Sequence, residues 1–447
     1  MKKMIGLLLV ITLFLFSCSA FAADVTLDES TDFSGTCFHF SFIGQQPIDD
    51  EQTMLIASYN DKNQLVGFEA LDVAGWSKYH KFPVDVDRYL TEENGGTTMK
   101  AFLWDAELSP FATGAILGKT TQNDLLSPTI CTFYENKPGA LSITFDDGNY
   151  DSAVYYNSEF KKYDLCGTAM LITDQLVSQG GTPEKWNTLL SEGYIDVGNH
   201  SASHAIKYND DSATQEQLEA DITDAYTQLT AWFPEQNILT FAAPWGQSTA
   251  DSTAEIKKHH YANRGAGGNL QNANPQGDEW YQLRSFVYSD HSAADMNAWA
   301  DQAINQNGWA IELLHNCVDG STSNGLAIAK DIFADHMEYL ATQKDNLWIG
   351  TLNEVTAYIK ERQNATVAID WANGQTMALT VTDTLPDEQF SQPLTLQVNV
   401  PLQWKNGVTY LQGTTTGSSP IVLEEPGRRY VQINVVPDGG QVILQKR

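Results

Sequence analysis

The spacing of hydrophobic and polar residues changes along the 447-residue chain. Between residues 24 and 136, short apolar runs such as 54–57 are separated by polar and glycine-containing turns, a pattern typical of β-strands. From residue 139 onwards, apolar strands alternate with helical stretches, as at 141–145 and 150–162. Strand–helix alternation favours a parallel sheet. The pattern therefore predicts an all-β module followed by an α/β domain.

Two later stretches complete this pattern. The strongest helix prediction covers 215–232, where Leu218, Ile222, Tyr226 and Leu229 recur at helical spacing. A second helix is predicted at about 327–343, and after Asn364 the sequence returns to alternating, β-branched segments. Because the length exceeds what one hydrophobic core usually serves, we predict several segments: a signal peptide (1–22), an N-terminal β module (23–136), a central α/β domain (137–363) and a C-terminal β-sandwich-like module (364–447).

The first 22 residues have the order of an export signal. Two lysines precede the apolar stretch 5–16, and Ala20-Phe21-Ala22 provides a cleavage site of small residues. Lipid attachment at Cys18 is the alternative, but Phe16 fits a lipid-attachment sequence poorly. We therefore expect export to the periplasm or the extracellular space, with lipoprotein anchoring through Cys18 less favoured.

The net charge, the hydropathy and the cysteine content narrow the possible classes of protein further. The formal net charge of -30 disfavours nucleic acid as a partner. Beyond the signal, no stretch approaches the roughly 20 apolar residues of a transmembrane helix, so none is expected. The later cysteines, Cys37, Cys131, Cys166 and Cys317, form no CxxC pair, and the sequence does not determine whether any of them form a disulfide.

Two adjacent carboxylates end the first strand of the α/β domain. The strand 141–145 is followed directly by Asp146, Asp147 and Gly148, and α/β active sites form at such strand ends. Adjacent acids are costly unless a cation lies beside them, and a divalent metal is the usual one. An isolated Asp-Asp-Gly would more often be a simple turn, so the prediction depends on the motifs that follow.

Histidines follow two further strands. His200 and His204 come four residues apart after 195–198, which places both rings on one face if the backbone turns helically. Two histidines and one carboxylate are typical of an open zinc site. His315 ends the apolar run 309–314, and as a third histidine at a strand end it suggests a proton donor.

At these motifs the sequence resembles the polysaccharide deacetylases of carbohydrate esterase family 4, the NodB-homology domain. The matching segments are TFDDG at 144–148, HSASH at 200–204 and LLH at 313–315, and the resemblance covers about 139–363. It implies a distorted (β/α) barrel, which we expect to be flanked here by N-terminal and C-terminal β-sandwich-like modules. It also implies Asp147, His200 and His204 as ligands of Zn²⁺, or of Co²⁺ or Ni²⁺, with Asp146 as catalytic base and His315 as acid.

The family's third motif is altered in this chain. Arg-x-Pro-aromatic-Gly is similar to Ala242-Ala243-Pro244-Trp245-Gly246, where alanine stands in place of the arginine. The resemblance assigns the Trp245 N–H to the developing oxyanion, and backbone donation does not depend on the side chain. Because Asp146 needs an orienting cation, we predict that Arg284 replaces the lost arginine from a neighbouring strand, although Arg is mostly exposed.

The sequence alone does not decide the roles of several other residues. The acid that tunes the catalytic histidine has no clear match, and Asp290 and Asp295 both lie in the right stretch but are more typical of surface residues. Four tryptophans in the β modules offer platforms for a glycan, although core packing is the commoner role of tryptophan: Trp76, Trp104, Trp371 and Trp404.

Together these features predict a metal-dependent hydrolase that removes acetyl groups from a polysaccharide or oligosaccharide. The first expectation is N-deacetylation of N-acetylglucosamine-containing glycans, such as chitin oligomers or peptidoglycan. The alternatives are an O-acetyl esterase acting on acetylated xylan or a similar polysaccharide, and a non-catalytic glycan-binding protein. A phosphoesterase is disfavoured, since neither a glycine-rich phosphate loop nor a basic cluster accompanies the motifs. The sequence gives no oligomeric state.

Overall fold

The computed structural model describes most of the chain from residue 35 onwards. The described residues are 35–42, 53–60, 62, 64–72, 84–91, 98–104, 110–121, 128–208, 213–320, 325–372, 375–400, 404, 406–424 and 428–447. The predicted signal peptide, including Cys18, lies outside these residues, as does Trp76. Among the described residues, no helix combines the length and apolar character that a membrane span requires.

The N-terminal region is all β, as its alternating sequence predicts. Its strands are β1 (Gly35–Phe42), β2 (Thr53–Tyr59), β3 (Leu65–Asp72), β4 (Val84–Thr91), β5 (Thr98–Trp104) and β6 (Pro110–Thr121), followed by a short β7 (Thr129–Ile130). The first six strands form one antiparallel sheet in the order β3-β2-β5-β6-β1-β4.

The central region is the predicted α/β domain. Its strands are β8 (Gly139–Phe145), β9 (Gly167–Leu171), β10 (Ile195–Asn199), β11 (Thr240–Ala242), β12 (Ala262–Arg264), β13 (Phe286–Val287), β14 (Trp309–Leu314), β15 (Cys317–Val318), β16 (Ile328–Ala329) and β17 (Leu347–Ile349). A parallel sheet runs in the order β12-β11-β10-β9-β8-β14-β13, and β17 pairs with the start of β8. Every residue of β8 is buried, as expected for a parallel strand covered on both faces.

Most of the helices that cover this sheet begin at a residue whose side chain caps the helix. The helices are α1 (Tyr150–Tyr163), α2 (Pro183–Leu190), α3 (Gln215–Trp232), α4 (Ala250–Ile256), α5 (Ala293–Gln306), α6 (Lys330–Thr342) and α7 (Leu352–Asn364). Thr214 and Thr351 form capping boxes with the third residues of α3 and α7. The prediction for 215–232 is confirmed, whereas the helix expected from 327 begins at Lys330, because 328–329 pair as β16.

The two edges of the parallel sheet meet through one short segment. Leu283 bridges to Arg264 at the end of β12, and Gly265 N donates to Leu283 O at 2.8 Å. A few residues later, β13 pairs with β14 at the opposite edge. The segment therefore closes the sheet into an irregular barrel, which confirms the predicted distorted (β/α) barrel.

The C-terminal region is a β-sandwich. Its strands are β18 (Thr366–Ala372), β19 (Thr376–Thr382), β20 (Leu394–Asn399), β21 (Val408–Gln412), β22 (Thr415–Ser419), β23 (Val422–Glu424), β24 (Arg428–Val435) and β25 (Val442–Lys446). One sheet runs β18-β19-β25-β21-β22 and the other β23-β24-β20-β7. Trp404 is fully buried in the core between the two sheets, together with Leu379, Leu396, Ile433 and Leu444. It is therefore not a surface platform for a glycan.

This sandwich is anchored to the barrel through α7. The Tyr358 hydroxyl donates to Cys131 O at 2.9 Å, and Gln392 N donates to both carboxylate oxygens of Glu361 at 3.0 Å. The strand β7 lies in the predicted N-terminal module but pairs with β20 of the sandwich. The segment just before the barrel therefore ties the C-terminal sheet to it.

Candidate active site

The two adjacent aspartates lie where β8 leaves the barrel. Asp146 continues the ladder for one residue, because its N–H donates to Leu314 O at 3.0 Å, and the residue is only 4% exposed. Asp147 then adopts a positive φ of 71° and Gly148 one of 76°, a conformation that costs energy for a residue with a side chain. The abrupt turn leaves Asp146 buried, while the side chain of Asp147 stays 33% exposed.

The loop after β10 brings the two histidines together without the expected helical turn. His200 is still tied to the neighbouring strand, through its N–H to Leu171 O at 2.9 Å. Ser201 and His204 then take positive φ angles of 69° and 55°. Two left-handed residues in one short loop thus bring the imidazole centroids within 4.7 Å.

Asp147, His200 and His204 form a set that fits a metal ion. Each residue offers one ligand atom, and these atoms all lie within 4.8 Å of one another. The Nδ1–H of His200 donates to Ala242 O at 2.8 Å, so that Nε2 is free to face the carboxylates. His200 Nε2 lies 3.8 Å from Asp147 Oδ1 and 3.5 Å from Asp146 Oδ2. Neutral imidazole nitrogens and a carboxylate are donors typical of zinc and related ions.

A carboxylate on α3 fixes the conformation of the histidine loop. Asp221 is buried and accepts the Ser203 N–H at 2.7 Å and the Tyr208 hydroxyl at 2.7 Å. Asn199 Oδ1 also accepts the Ser201 N–H at 2.9 Å. These bonds offset the cost of the left-handed backbone. Sequence reasoning did not identify Asp221, because it lies on the buried face of a regular helix with no motif around it.

Arg264, rather than Arg284, is the cation beside Asp146. One guanidinium nitrogen of Arg264 donates to Asp146 Oδ1, and both side chains are buried. Arg264 ends β12 and pairs in parallel register with Ala242 of β11, the position at which the altered motif lacks its arginine. Register neighbours in a parallel sheet point to the same face. The arginine thus lies on the neighbouring strand, at the same level of the sheet, and still reaches Asp146.

Arg284 makes different contacts from those of Arg264. Its side chain is exposed, and Nη1 donates to Gly246 O at 3.4 Å and to Ala266 O at 3.2 Å. Arg284 forms no ion pair with Asp146 among the described residues, because Arg264 takes that place, so the prediction that Arg284 replaces the lost arginine is wrong in this structure. Leu283 bridges to β12, which turns the next residue towards the outer loops instead of the barrel interior.

The charges around Asp146 keep it ionised. Burial raises the pKa of this carboxyl, but the positive charge of Arg264 and the hydrogen bond that it donates outweigh burial and hold the pKa below its ordinary value. Burial lowers the pKa of His200, so the ring stays neutral, as a metal ligand must be. The site therefore combines a buried anion, suited to accept a proton, with the neutral ligand nitrogen of His200.

The remaining predicted residues surround this centre. Trp245 takes a positive φ of 62° after β11, and its ring is 59% exposed and 5.3 Å from that of His204. His315 follows β14, and its Nδ1 is buried without a hydrogen-bond partner in the described part of the chain. Asp290 and Asp295 are both exposed, and Asp295 caps α5 by accepting from Ser292. Neither acid is paired with His315 here.

Comparisons with known proteins give one family. Residues 134–263 match the model of the polysaccharide deacetylase family. A curated protein from Bacillus sp., named gellan lyase, is 25% identical over 338 residues, which are 70% of this chain and 13% of that protein. The chain thus spans 13% of the length of that relative.

The solved structures that are similar to this chain share less sequence identity with it. A family 4 carbohydrate esterase from Streptomyces lividans is 17% identical, with a TM-score of 0.33, over 48% of this chain and 93% of its own. A family 4 acetyl xylan esterase from Clostridium thermocellum is 16% identical, with a TM-score of 0.35, over 48% and 89%. At these values the likenesses carry no argument about substrate. Residues 134–263, which contain Asp146, Asp147, His200 and His204, are thus similar to the polysaccharide deacetylase family.

Proposed function

We propose that this chain is a metal-dependent deacetylase that removes acetyl groups from a carbohydrate, with N-acetyl groups of N-acetylglucosamine-containing glycans as the first candidate. The observation that carries the proposal is the cluster Asp147, His200 and His204, whose ligand atoms lie within 4.8 Å of one another beside a buried, arginine-paired Asp146. This combination provides a cation site and a proton acceptor at the same barrel mouth.

Asp147, His200 and His204 would hold the ion. A bound divalent cation would lower the pKa of a water molecule and polarise the acetyl carbonyl. His200 is already held in the right tautomer by Ala242 O. Zn²⁺ is the first candidate for this donor set, with Co²⁺ or Ni²⁺ as alternatives.

The chain's own residues would perform the proton transfers. Asp146 accepts the proton of the attacking water through Oδ2, because Oδ1 is occupied by Arg264. The Trp245 N–H would donate to the oxyanion as it develops. His315 would deliver a proton to the departing nitrogen or oxygen, which releases acetate and a free amine or hydroxyl.

An amine is a poorer leaving group than a sugar hydroxyl, yet the same residues serve both. O-acetyl esterase activity on acetylated xylan or a similar polysaccharide is therefore the second candidate. The third candidate is a non-catalytic glycan-binding protein, in which the Arg264–Asp146 ion pair would have no evident role. Burying two charged groups costs free energy that a purely binding barrel need not spend.

Acetate release is the direct test. Metal-stripped protein, reloaded with Zn²⁺ or Co²⁺, should release acetate from N-acetylglucosamine oligomers or from acetylated xylan, and the ratio of the two rates identifies the preferred bond. Asp146→Asn should keep its metal and lose about 10²- to 10⁴-fold in turnover. Full turnover without metal would rule out the proposed mechanism.

The order of the first 22 residues supports an exported protein, periplasmic or extracellular, for which polysaccharide substrates are accessible. N-terminal sequencing of the secreted protein tests this part of the proposal. A mature chain beginning near Ala23 is expected, whereas a lipid-modified Cys18 would indicate anchoring.

A further inference from the structure

A groove lies on the barrel next to the candidate active site. Its cavity has a volume of about 470 Å³ and is lined by the turn after β11, by α4, and by the segment around Tyr281 and Arg284. Small-molecule sites commonly have volumes of about 300–1,000 Å³. The groove is thus large enough to hold a ligand of its own.

The groove continues directly from the site residues. Gly246 lines it and follows Trp245, whose ring faces His204. Gly265 also lines it and follows Arg264, the ion-pair partner of Asp146. The segments at the ends of β11 and β12 thus each place a groove residue directly after a site residue, so the groove adjoins the active site.

Arg284 is fixed in the wall of this groove. Its Nη1 donates to Gly246 O and Ala266 O. A Cβ added at Gly268 would lie 2.1 Å from Arg284 Cβ, so only glycine allows the two segments to approach this closely. The glycine-rich sequence after Arg264 thus accommodates the stem of Arg284, and Nε and Nη2 donate no hydrogen bond within the described residues.

Arg284 is also the uncompensated charge of the groove. Lys257, the other cation of its lining, is paired with Asp278. No described carboxylate lies within ion-pair distance of Arg284, although the chain carries a formal net charge of -30. A planar guanidinium fork matches a carboxylate with two parallel hydrogen bonds.

We propose that this groove is a specificity site that binds a sugar unit bearing a carboxylate, as in a uronic acid, next to the acetylated unit of the same glycan. The proposal rests on the proposed deacetylase function. Arg284 binds the carboxylate through its free nitrogens. Hydroxyl and amide side chains of the lining, among them Ser248, Thr253 and Gln282, meet the sugar hydroxyls.

Binding measured without turnover tests the site. Oligogalacturonides and neutral oligoxyloses are titrated calorimetrically into the wild type, Arg284→Met, Arg284→Lys and Lys161→Met. The last variant is the matched control, because Lys161 is an exposed cation on α1 outside the groove. Arg284→Met should weaken oligogalacturonide binding by about tenfold or more, and Arg284→Lys, which keeps the charge without the fork, by less. Lys161→Met should bind like the wild type.

Equal oligogalacturonide affinity in Arg284→Met and wild type would overturn the proposal, as would wild-type preference for oligoxyloses. Tighter binding of a sulfated oligosaccharide than of oligogalacturonide would overturn the assignment to a carboxylate. Acetate release is measured in parallel on acetylated substrates with and without uronic acid units. The proposed function is refuted if no substrate releases acetate. The groove proposal is refuted only by the binding measurements, so the two failures are distinguishable.

Discussion

Removing the buried arginine beside Asp146 should impair the site and leave the fold in place. In Arg264→Ala, Asp146 loses a charge-assisted hydrogen bond to a side chain that is 1% exposed, so water would replace it poorly. Hydrogen bonds to charged groups contribute about 1.5–3 kcal/mol. If that stabilisation is lost in the transition state alone, turnover falls about tenfold to about 100-fold, since 1.36 kcal/mol corresponds to a factor of ten.

Restoring the arginine on the next strand tests the same reasoning more sharply. Ala242 is the register neighbour of Arg264, and its carbonyl, which holds His200, belongs to the backbone and survives substitution. The double variant Ala242→Arg/Arg264→Ala should therefore recover much of the turnover that Arg264→Ala loses. Arg264→Lys, which keeps charge but not the fork, should lie between them.

The assay is acetate release at saturating substrate, with bound metal and circular dichroism measured on each variant. The single variant should keep its metal, because Asp147, His200 and His204 are unchanged. Wild-type turnover in Arg264→Ala would refute the role given to the ion pair. An inactive but folded and metal-loaded double variant would refute the claim that the two positions are equivalent.

Three further perturbations follow from contacts outside the reacting centre. Asp221→Ala removes the acceptor of Ser203 N–H and should weaken metal affinity about 10- to 100-fold in a competition assay with a chromophoric chelator; unchanged affinity would contradict its positioning role. Burial raises the pKa of Glu361 to about 8, so the stability that the protonated carboxyl contributes is complete below its unfolded pKa and is lost as pH rises through about 8. In Glu361→Gln, denaturant titrations should show that the free energy of unfolding falls less steeply with rising pH, by up to about 1.4 kcal/mol per pH unit. Gly139→Ala places a Cβ 2.4 Å from Ala303 O and should destabilise the barrel by about 1–3 kcal/mol, whereas an unchanged melting temperature would show that α5 moves aside at no cost.

Local rules were sufficient for the barrel and for most of the site. Strand–helix alternation predicts a parallel sheet because each crossover needs a helix, and the ends of parallel strands gather at one edge. Three site residues directly follow a strand of this sheet, namely Asp146, His200 and His315, and Asp147 comes one residue later, so sequence position alone groups them. The same rules could not predict that β7 joins the C-terminal sandwich, because that pairing joins residues far apart in sequence.

The arginine shows where sequence reasoning reaches its limit. Arg264 obeys the rule that found the other site residues, since it ends a short strand and precedes glycine. It was overlooked because β12 has only three residues and little hydrophobic signal, whereas Arg284 follows a more apolar run. What decides between the two arginines is sheet register, which places Arg264 beside Ala242 and aims it into the barrel. Register depends on pairing and closure of the whole sheet. A motif that lacks one residue is therefore best completed by searching the equivalent level of the adjacent strands, where a side chain of the same kind has the same reach.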